Sequence, residues 1–534
     1  MAARLMTDRV FIFDTTLRDG GQTQGVDFGV PDKVAIAKAL DELGVDYIEA
    51  GWPGANPTDD AIFSAPPKLS AAKLVAFGMT RRPGRSAEND PGLSAVLNAK
   101  APVACLVGKT WDFHVDAALE IDRDENIAMI GDSIALAGTR AEQAMFDAEH
   151  FFDGYKANPD FALACLDAAD RAGARWIVLC DTNGGALPHE IEAIVRTVTE
   201  RIPGDRIGIH CHNDSGTAVA SSLAAVRAGA RQVQGTLNGL GERCGNADLA
   251  SVIPNLVLKM GFKAGVTEHG LRHLTHAAHL IDERLNRAHN RHQPYVGESA
   301  FAHKGGLHVS AIAKDPRTYE HIAPEAVGNR RTVVVSDQAG RSNILARFEE
   351  LGIEIDAKSP KISRLVELVK ERESQGYAYD GAAASFELLA RRTLGTVPEF
   401  FDLTTFRVLD EQRVNARGER VTLSEATMKV VVRGEQVMTV AEGNGPVDAL
   451  ASGLQKALSG AHPSLSEMRL IDYKVRILTP EAGTGAVTRV MIESEDGDGR
   501  RWSTVGVSTN VIAASYDAMH DAITYRLLRD QLAD

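Results

Sequence analysis

The chain has 534 residues, 44% of them hydrophobic and 24% charged, and carries a net charge of −14. That length exceeds one ordinary core and implies two or three domains, and the composition excludes a disordered chain. The acidic balance, uninterrupted by any Lys/Arg block, argues against nucleic acid or an anionic membrane as partner, because phosphate binding needs clustered cations.

Five cysteines (Cys105, Cys165, Cys180, Cys211 and Cys244) lie far apart with no C-x-x-C pair, which predicts reduced thiols rather than a zinc knuckle or redox motif. The opening stretch MAARLMTDRVFIFD lacks the apolar core of a signal peptide. No apolar run approaches the roughly 18 residues of a membrane span. A cytoplasmic protein is expected.

Along the chain, β-rich runs alternate with helical patterns from about residue 10 to 250. The strand candidates are VFIFDTT, VDYIEAG, KLVAFGM, PVACLVG, AEQAMFDAE, RWIVLCD, RIGIHCH and RQVQGTL. The fifth would also suit a helix. Segments such as DKVAIAKALDELG and GTAVASSLAAVRAG between them have helical spacing. Near-continuous apolar strands alternating with helices indicate a parallel sheet covered by helices. Eight such units over about 240 residues fit an α/β fold of the (β/α)8 TIM-barrel type, and the count favours it over an open doubly wound sheet. Residues of about 265–400 read as helical and polar, with HGLRHLTHAAH, a Gly/Lys/His loop FAHKGGLHVS and a charged helix ISRLVELVKERESQ. After 400 the pattern changes to five strand-like runs (ATMKVVVRG, QVMTVAEG, MRLIDYKVRIL, VTRVMIESE, RWSTVGVS) and two helical ones (PVDALASGLQKALSG, SYDAMHDAITYRLLRD). The expected organisation is a barrel over 1–275, helical linker subdomains over 276–400 and an α+β domain over 401–534.

Polar clusters end most of the barrel strand runs: DTTLRDGGQ, EAGWPG, GKTWDFH, DAEHFFDG, CDTNGG, HCHNDSG and TLNGLGERCGN. Barrel active sites are built at those C-terminal ends. His210 and His212, two apart on the seventh strand, point to one face, the barrel mouth. Asp19 ends the first strand and Asn246 follows the eighth, so one carboxylate, two imidazoles and an amide oxygen can converge on one ion. Mixed N/O donors without thiolate suit Mn²⁺ or Mg²⁺, with Zn²⁺ also accommodated.

Beside them, Arg18 is either a barrel-closing salt bridge or a holder of negative charge on a substrate oxygen. Glu149 is a candidate acid or base, or a structural carboxylate at a helix start. Thr182 could donate to a bound carboxylate or cap the next helix. His303 and His308 are acid/base candidates, or structural residues of their loop. Gly108-Lys109-Thr110 resembles the end of a phosphate loop, but Val103 stands where its first glycine belongs; Gly239-Leu240-Gly241 resembles a dinucleotide turn, but Cys244 replaces its third glycine. Neither ATP nor NAD is supported.

DTTLRDGGQ, HCHNDSG, GLGERCGNADL and FAHKGGLHVSAI resemble the TIM-barrel acyltransferases and lyases that include the 2-isopropylmalate, homocitrate and citramalate synthases and hydroxymethylglutaryl-CoA lyase. The segments EAGWPGANPTD, GKTWDFHV, MFDAEHFFDGYK and AAASFELLARR are closest to the long-form citramalate synthases, and the likeness covers nearly the whole chain. The resemblance implies Asp19, His210, His212 and Asn246 as metal ligands, Arg18 at the oxyanion, Thr182 on the 2-oxo acid carboxylate, and Glu149 and His303 in the catalytic centre. Gly21 stands where the family often has a glutamate. The implied reaction is condensation of acetyl-CoA with pyruvate to citramalate in isoleucine synthesis. The implied C-terminal domain is regulatory, binding isoleucine at the interface of a homodimer. Isopropylmalate or homocitrate synthesis, a cleavage reaction, or a non-catalytic amino-acid sensor are the alternative readings.

Overall fold

The computed structural model describes residues 8–333, 335, 340–414 and 416–533. Residues 1–7, the start of the stretch read above for a leader, lie outside the described residues. The chain divides into two compact units, Met1–Phe301 with His321–Arg331, and Ala302–Glu320 with Thr332–Asp534.

The first unit is a closed barrel whose strands follow chain order: β1 (Phe11–Asp14), β2 (Tyr47–Gly51), β3 (Lys73–Met79), β4 (Val103–Lys109), β5 (Gln143–Glu149), β6 (Trp176–Asp181), β7 (Ile207–Cys211) and β8 (Gln232–Gly235). Each run expected to be a strand is one, the ambiguous fifth included, and β8 closes on β1 in parallel register. Every residue of β2, β6 and β7 is buried, as expected for a parallel strand covered on both faces.

Strand alternation sorts these residues into two sets. Ile12, Ile48, Ala76, Leu106, Phe146, Ile177 and Ile209 face the surrounding helices. Phe13, Tyr47, Val75, Phe77, Cys105, Met145, Trp176 and Val178 fill the interior. Trp176 is fully buried and its Nε1–H donates to Tyr47 Oη at 3.2 Å. Burying each such large side chain contributes about 1.5–3 kcal/mol. Two residues further along three of these inward rows the chemistry turns polar: Tyr47 gives way to Glu49, Met145 to Asp147 and Gly208 to His210, while β8 carries Gln234 after Gln232. All four are buried. The barrel is thus plugged by apolar side chains below and lined by ionisable ones at its C-terminal end.

The second unit begins with β9 (Ala302–His303), paired in parallel with β10 (Thr332–Val333). Part of the expected Gly/Lys/His loop is a helix, Gly306–Ile312. Helices Arg341–Glu350, Pro360–Ser374 and Ala383–Leu394 follow. The remainder repeats one motif twice, three antiparallel strands and a helix. The first copy is β11 (Phe401–Val414), β12 (Arg420–Val432), β13 (Glu435–Gly443) and helix Pro446–Leu458; the second is β14 (Arg469–Ile477), β15 (Thr488–Glu495), β16 (Arg501–Ser508) and helix Val511–Ala533. Met428, Val430, Leu450 and Leu454 of one copy share a core with Val490, Ile492, Ala514 and Ala518 of the other. The sequence reading found five of the six strands and missed β11. Phe401, Leu403, Phe406 and Val408 of that strand meet the core, but a register shift between Leu403 and Thr405 breaks their alternation. From Leu409 onward the strand is exposed, so no continuous half-buried pattern marks it. Among the described residues no helix is long and apolar enough to cross a membrane.

Candidate metal centre at the barrel mouth

β1 ends at Asp14, and the chain turns through hydrogen bonds from the N–H groups of Arg18, Asp19 and Gly20 to Thr15 O. Asp19 therefore occupies this turn rather than the strand end expected from sequence. His210 lies on β7 and His212 just beyond it. The Nε2 atoms of His210 and His212 stand 3.3 and 3.9 Å from Asp19 Oδ2. One ligand atom from each of these three residues falls within 4.8 Å of the other two.

Asn246 is delivered by the loop after β8, which folds back on the end of β7. Ala247 N–H donates to Cys211 O at 2.9 Å, Asn213 N–H donates to Gly245 O at 2.8 Å, and Asn246 forms a backbone bridge with His212. Its Nδ2 donates to Leu240 O at 3.0 Å, which leaves Oδ1 buried with no hydrogen-bond partner. A buried acceptor without a donor is costly, and a cation beside Asp19 is the natural partner for it. The donor set fits a divalent ion: one carboxylate, two imidazoles and an amide oxygen.

The electrostatics differ across the cluster. Burial alone would raise Asp19, but Arg18 and the two imidazoles outweigh it and hold the carboxyl well below its usual range. Burial and the neighbouring His210 push His212 down to about 4, so it is neutral near pH 7. Burial also works against a charged His210, but Asp19, Asp147 and Gln234 prevail and raise it.

Arg18 is fixed from three sides. Its Nε–H donates to Glu49 Oε2 at 2.6 Å, its Nη1 is 3.7 Å from Asp19 Oδ1, and its guanidinium lies 3.8 Å over the Phe77 ring. Thr15 Oγ1 donates to the same Glu49 oxygen at 2.5 Å. Glu49, Cys105 and Asp147 form a second group of close, buried, potential ligands. Burial drives the Cys105 thiol far up, and both carboxyls are raised by burial, so this group is a poor thiolate–carboxylate cage.

A cavity of ≈ 260 Å³ opens over the cluster, bringing together Arg18, Asp19, Glu149, Thr182, His210 and His212. Glu149 Oε2 forms an ion pair with Lys109, its register partner on β4. Thr182 Oγ1 accepts the His150 N–H at 2.9 Å, made possible by the left-handed backbone of His150 at φ 57°. His303 belongs to the second unit, where its Nε2 is 3.3 Å from Glu320 Oε1. His308 stacks on Tyr319 with ring centroids 4.1 Å apart.

Residues 9–280 match the HMGL-like family, residues 295–376 the homocitrate synthase post-HMGL domain-like family and residues 380–527 the LeuA allosteric (dimerisation) domain. The chain is 51% identical over 528 residues to an (R)-citramalate synthase of Aquifex aeolicus strain VF5, covering 98% of this chain and 99% of the relative. It is also 51% identical to an (R)-citramalate synthase of Geobacter sulfurreducens, covering 98% of both chains. The chain belongs to the citramalate synthase family. A probable 2-isopropylmalate synthase of Methanopyrus kandleri, at 34% identity over 96% of this chain and 97% of its own, is more distant.

Several residues of this family member's mouth escaped the sequence reading. Lys109 stands in the stretch that fails as a phosphate loop, yet it lines the cavity. Glu49 and Asp147 stand in the inward rows of β2 and β5, and a carboxylate two residues after an inward apolar residue was the available signal. Arg243, whose guanidinium grips Asp214 at 2.8 and 2.9 Å and donates to Thr182 O at 2.7 Å, gave none.

Proposed function

We propose that this chain condenses acetyl-CoA with pyruvate and hydrolyses the product thioester, yielding (R)-citramalate and CoA for isoleucine synthesis. The observation that carries the reading is the convergence of Asp19, His210 and His212 with the partnerless Oδ1 of Asn246 beside a clamped arginine. In this reading Asp19, His210, His212 and Asn246 hold a divalent ion, Mn²⁺ or Mg²⁺ being the first choice and Zn²⁺ the second. Such an ion supplies Lewis acidity at a ketone oxygen and a template for a 2-oxo carboxylate.

The protein's own groups do the rest. Arg18, immobilised by Glu49 and Phe77, offers fixed positive charge to the ketone oxygen as it becomes an alkoxide. Thr182 already accepts the His150 N–H, which leaves its own hydroxyl proton for the pyruvate carboxylate. Glu149, on the cavity wall and ion-paired to Lys109, removes the methyl proton of acetyl-CoA. The carbanion attacks the ketone carbon, the alkoxide takes a proton, and water then adds to the thioester so that CoA leaves as the thiol. A non-catalytic sensor has no use for this complete set.

Pyruvate is preferred over larger oxo acids because relatives at 51% identity carry the citramalate name and the isopropylmalate relative stands at 34%. The second unit supports a regulatory reading. A cavity of ≈ 290 Å³ between helices Pro446–Leu458 and Val511–Ala533 is lined by Ala451, Leu454, Met468, Ile492 and Ile523, with Asp448 and Ser494 as polar points. Ser494 Oγ is buried without a partner. Apolar walls with a few polar anchors suit a branched-chain amino acid, and isoleucine is the proposed effector. Exposed Met438 on β13 and Leu470, Val475 and Ile477 on β14 are suited to a partner copy, so the proposed working form is a cytoplasmic homodimer.

The deciding experiment measures CoA release from acetyl-CoA with Mn²⁺ or Mg²⁺, comparing pyruvate, 2-oxoisovalerate and 2-oxoglutarate. Preference for pyruvate, abolished by a chelator, is expected. Preference for a larger oxo acid would move the enzyme to isopropylmalate or homocitrate synthesis, and no release with any would end the synthase reading.

A further inference from the structure

The two imidazoles at the mouth are held differently, and the difference lies behind His210. In the parallel register of β7 and β8, His210 is paired with Gln234, and both side chains enter the barrel interior. Gln234 is fully buried. Its Oε1 is 2.9 Å from His210 Nδ1, and its Nε2 donates to Asp147 Oδ1 at 3.1 Å. Asp147 also lies close beside Cys105 and Glu49.

A primary amide has one accepting and one donating end, and both are used here. Gln234 Nε2 donates to Asp147 Oδ1, which puts the NH₂ on that side. The amide oxygen then faces His210, so the proton shared between them belongs to His210 Nδ1. With Nδ1 carrying the proton, the lone pair of the neutral ring is on Nε2, the atom that looks toward Asp19 at 3.3 Å. His212 has no such support, since its Nδ1 is buried without a partner.

We infer that Gln234, oriented by Asp147, is a positioning residue that fixes the tautomer of His210 and so presents its Nε2 as the ligating atom. The inference rests on the metal reading of Asp19, His210, His212 and Asn246, and it adds a residue from a strand that contributes no ligand. A polar residue buried behind a ligating histidine typically changes metal affinity by about 10–100-fold when removed. The surroundings explain why the device is an amide: a carboxylate in direct contact with Asp147 would place two anions side by side, whereas the amide links an anion to an imidazole through one donor and one acceptor.

The experiment is Mn²⁺ titration of the full-length metal-free protein, read by the disappearance of free-Mn²⁺ electron paramagnetic resonance. The wild type is compared with Gln234→Leu, Gln234→Asn and Gln234→Glu, with thermal unfolding measured on each. Gln234→Leu matches the size and removes the acceptor; Gln234→Asn keeps the amide but withdraws it by one methylene. Both are expected to bind Mn²⁺ about 10–100-fold more weakly. Beside Asp147 a glutamate must share one proton with its neighbour, so Gln234→Glu still presents an acceptor oxygen to Nδ1. It is expected to bind within about threefold of wild type, a rescue that a space-filling role would not produce. If Gln234→Leu does not fold, Gln234→Asn reads the same contact. Wild-type affinity in the leucine or asparagine variant would overturn the inference while leaving the metal site standing. Failure of the wild type itself to bind Mn²⁺, Mg²⁺ or Zn²⁺ would overturn the metal reading and this inference with it. A histidine ¹⁵N spectrum of the Zn²⁺-loaded protein gives an independent check: the His210 proton is expected on Nδ1, and its appearance on Nε2 would overturn the tautomer assignment.

Discussion

His210 and His212 share a strand face yet meet opposite surroundings, and this decides how each serves a cation. Near pH 7 His212 is neutral, because burial and its neighbour hold it near 4, so no proton has to leave before it ligates. The substitution His212→Ala is expected to lower turnover by at least ~10³-fold with a thermal unfolding transition close to wild type, since the residue packs at the cavity wall rather than in the core. Normal turnover in that variant would refute the ligand assignment. A second single-residue outcome concerns Asp14, fully buried at the end of β1 and accepting hydrogen bonds from Thr16 N–H and Thr16 Oγ1. Burial raises its carboxyl from 3.8 to about 7. Between those two values the folded state holds a proton that the unfolded state has lost. The resulting contribution to stability is fully present below about pH 4 and is lost as pH rises through 7, by up to ~1.4 kcal/mol per pH step. Asp14→Asn removes the titration, so its melting temperature relative to wild type should climb between pH 5 and pH 8. A constant difference across that range would show that Asp14 does not titrate there.

At the scale of elements, the barrel strands set direction and the loops after them set position. The loop after β8 is the clearest case, because it must bring Asn246 back beside His212. Gly241 adopts φ +152°, and a Cβ there would stand 2.2 Å from Asn246 Nδ2. Gly241→Ala is expected to push Asn246 off its seat and weaken Mn²⁺ activation by about 10–100-fold. It should also lower the unfolding temperature, because alanine is strained at that φ. Half-maximal activation at the wild-type Mn²⁺ concentration would remove Asn246 from the proposed set. The βα turn after β5 works the same way in miniature: His150 in the left-handed region turns its N–H onto Thr182 and leaves that hydroxyl a donor.

At the scale of the whole molecule, the proposed reading divides catalysis from regulation between the two units. The doubled strand-and-helix motif of the second unit builds a cavity at the junction of its two copies, and each copy alone has only one wall of it. Ala451→Trp fills this space and is expected to abolish inhibition by isoleucine while basal CoA release stays within about twofold of wild type, since the substitution is remote in chemistry from the mouth residues. Inhibition that survives the substitution would take the effector elsewhere. The family match over residues 380–527 and the exposed apolar strands β13 and β14 belong to this same scale.

What could be read from the sequence is what depends on near neighbours in the chain. The near-continuous apolar runs and intervening helical spacing determined the barrel, and the polar residues ending most runs marked its mouth; hence Arg18, Asp19, Glu149, Thr182, His210 and His212 were legible and do line one cavity. β11 was not legible, because its apolar alternation is interrupted at Leu403/Thr405 and its exposed far half is held by backbone pairing with β12. The partners were not legible either. Lys109 with Glu149, Arg18 with Glu49, and Gln234 between Asp147 and His210 each join residues from different strands or the turns after them, and only closure of the barrel in one register brings them together. Residue identities and local periodicity determined which groups this protein has for chemistry; tertiary register decided which atom of each group faces the substrate space, because hydrogen-bond direction is a property of pairs that the linear chain keeps apart.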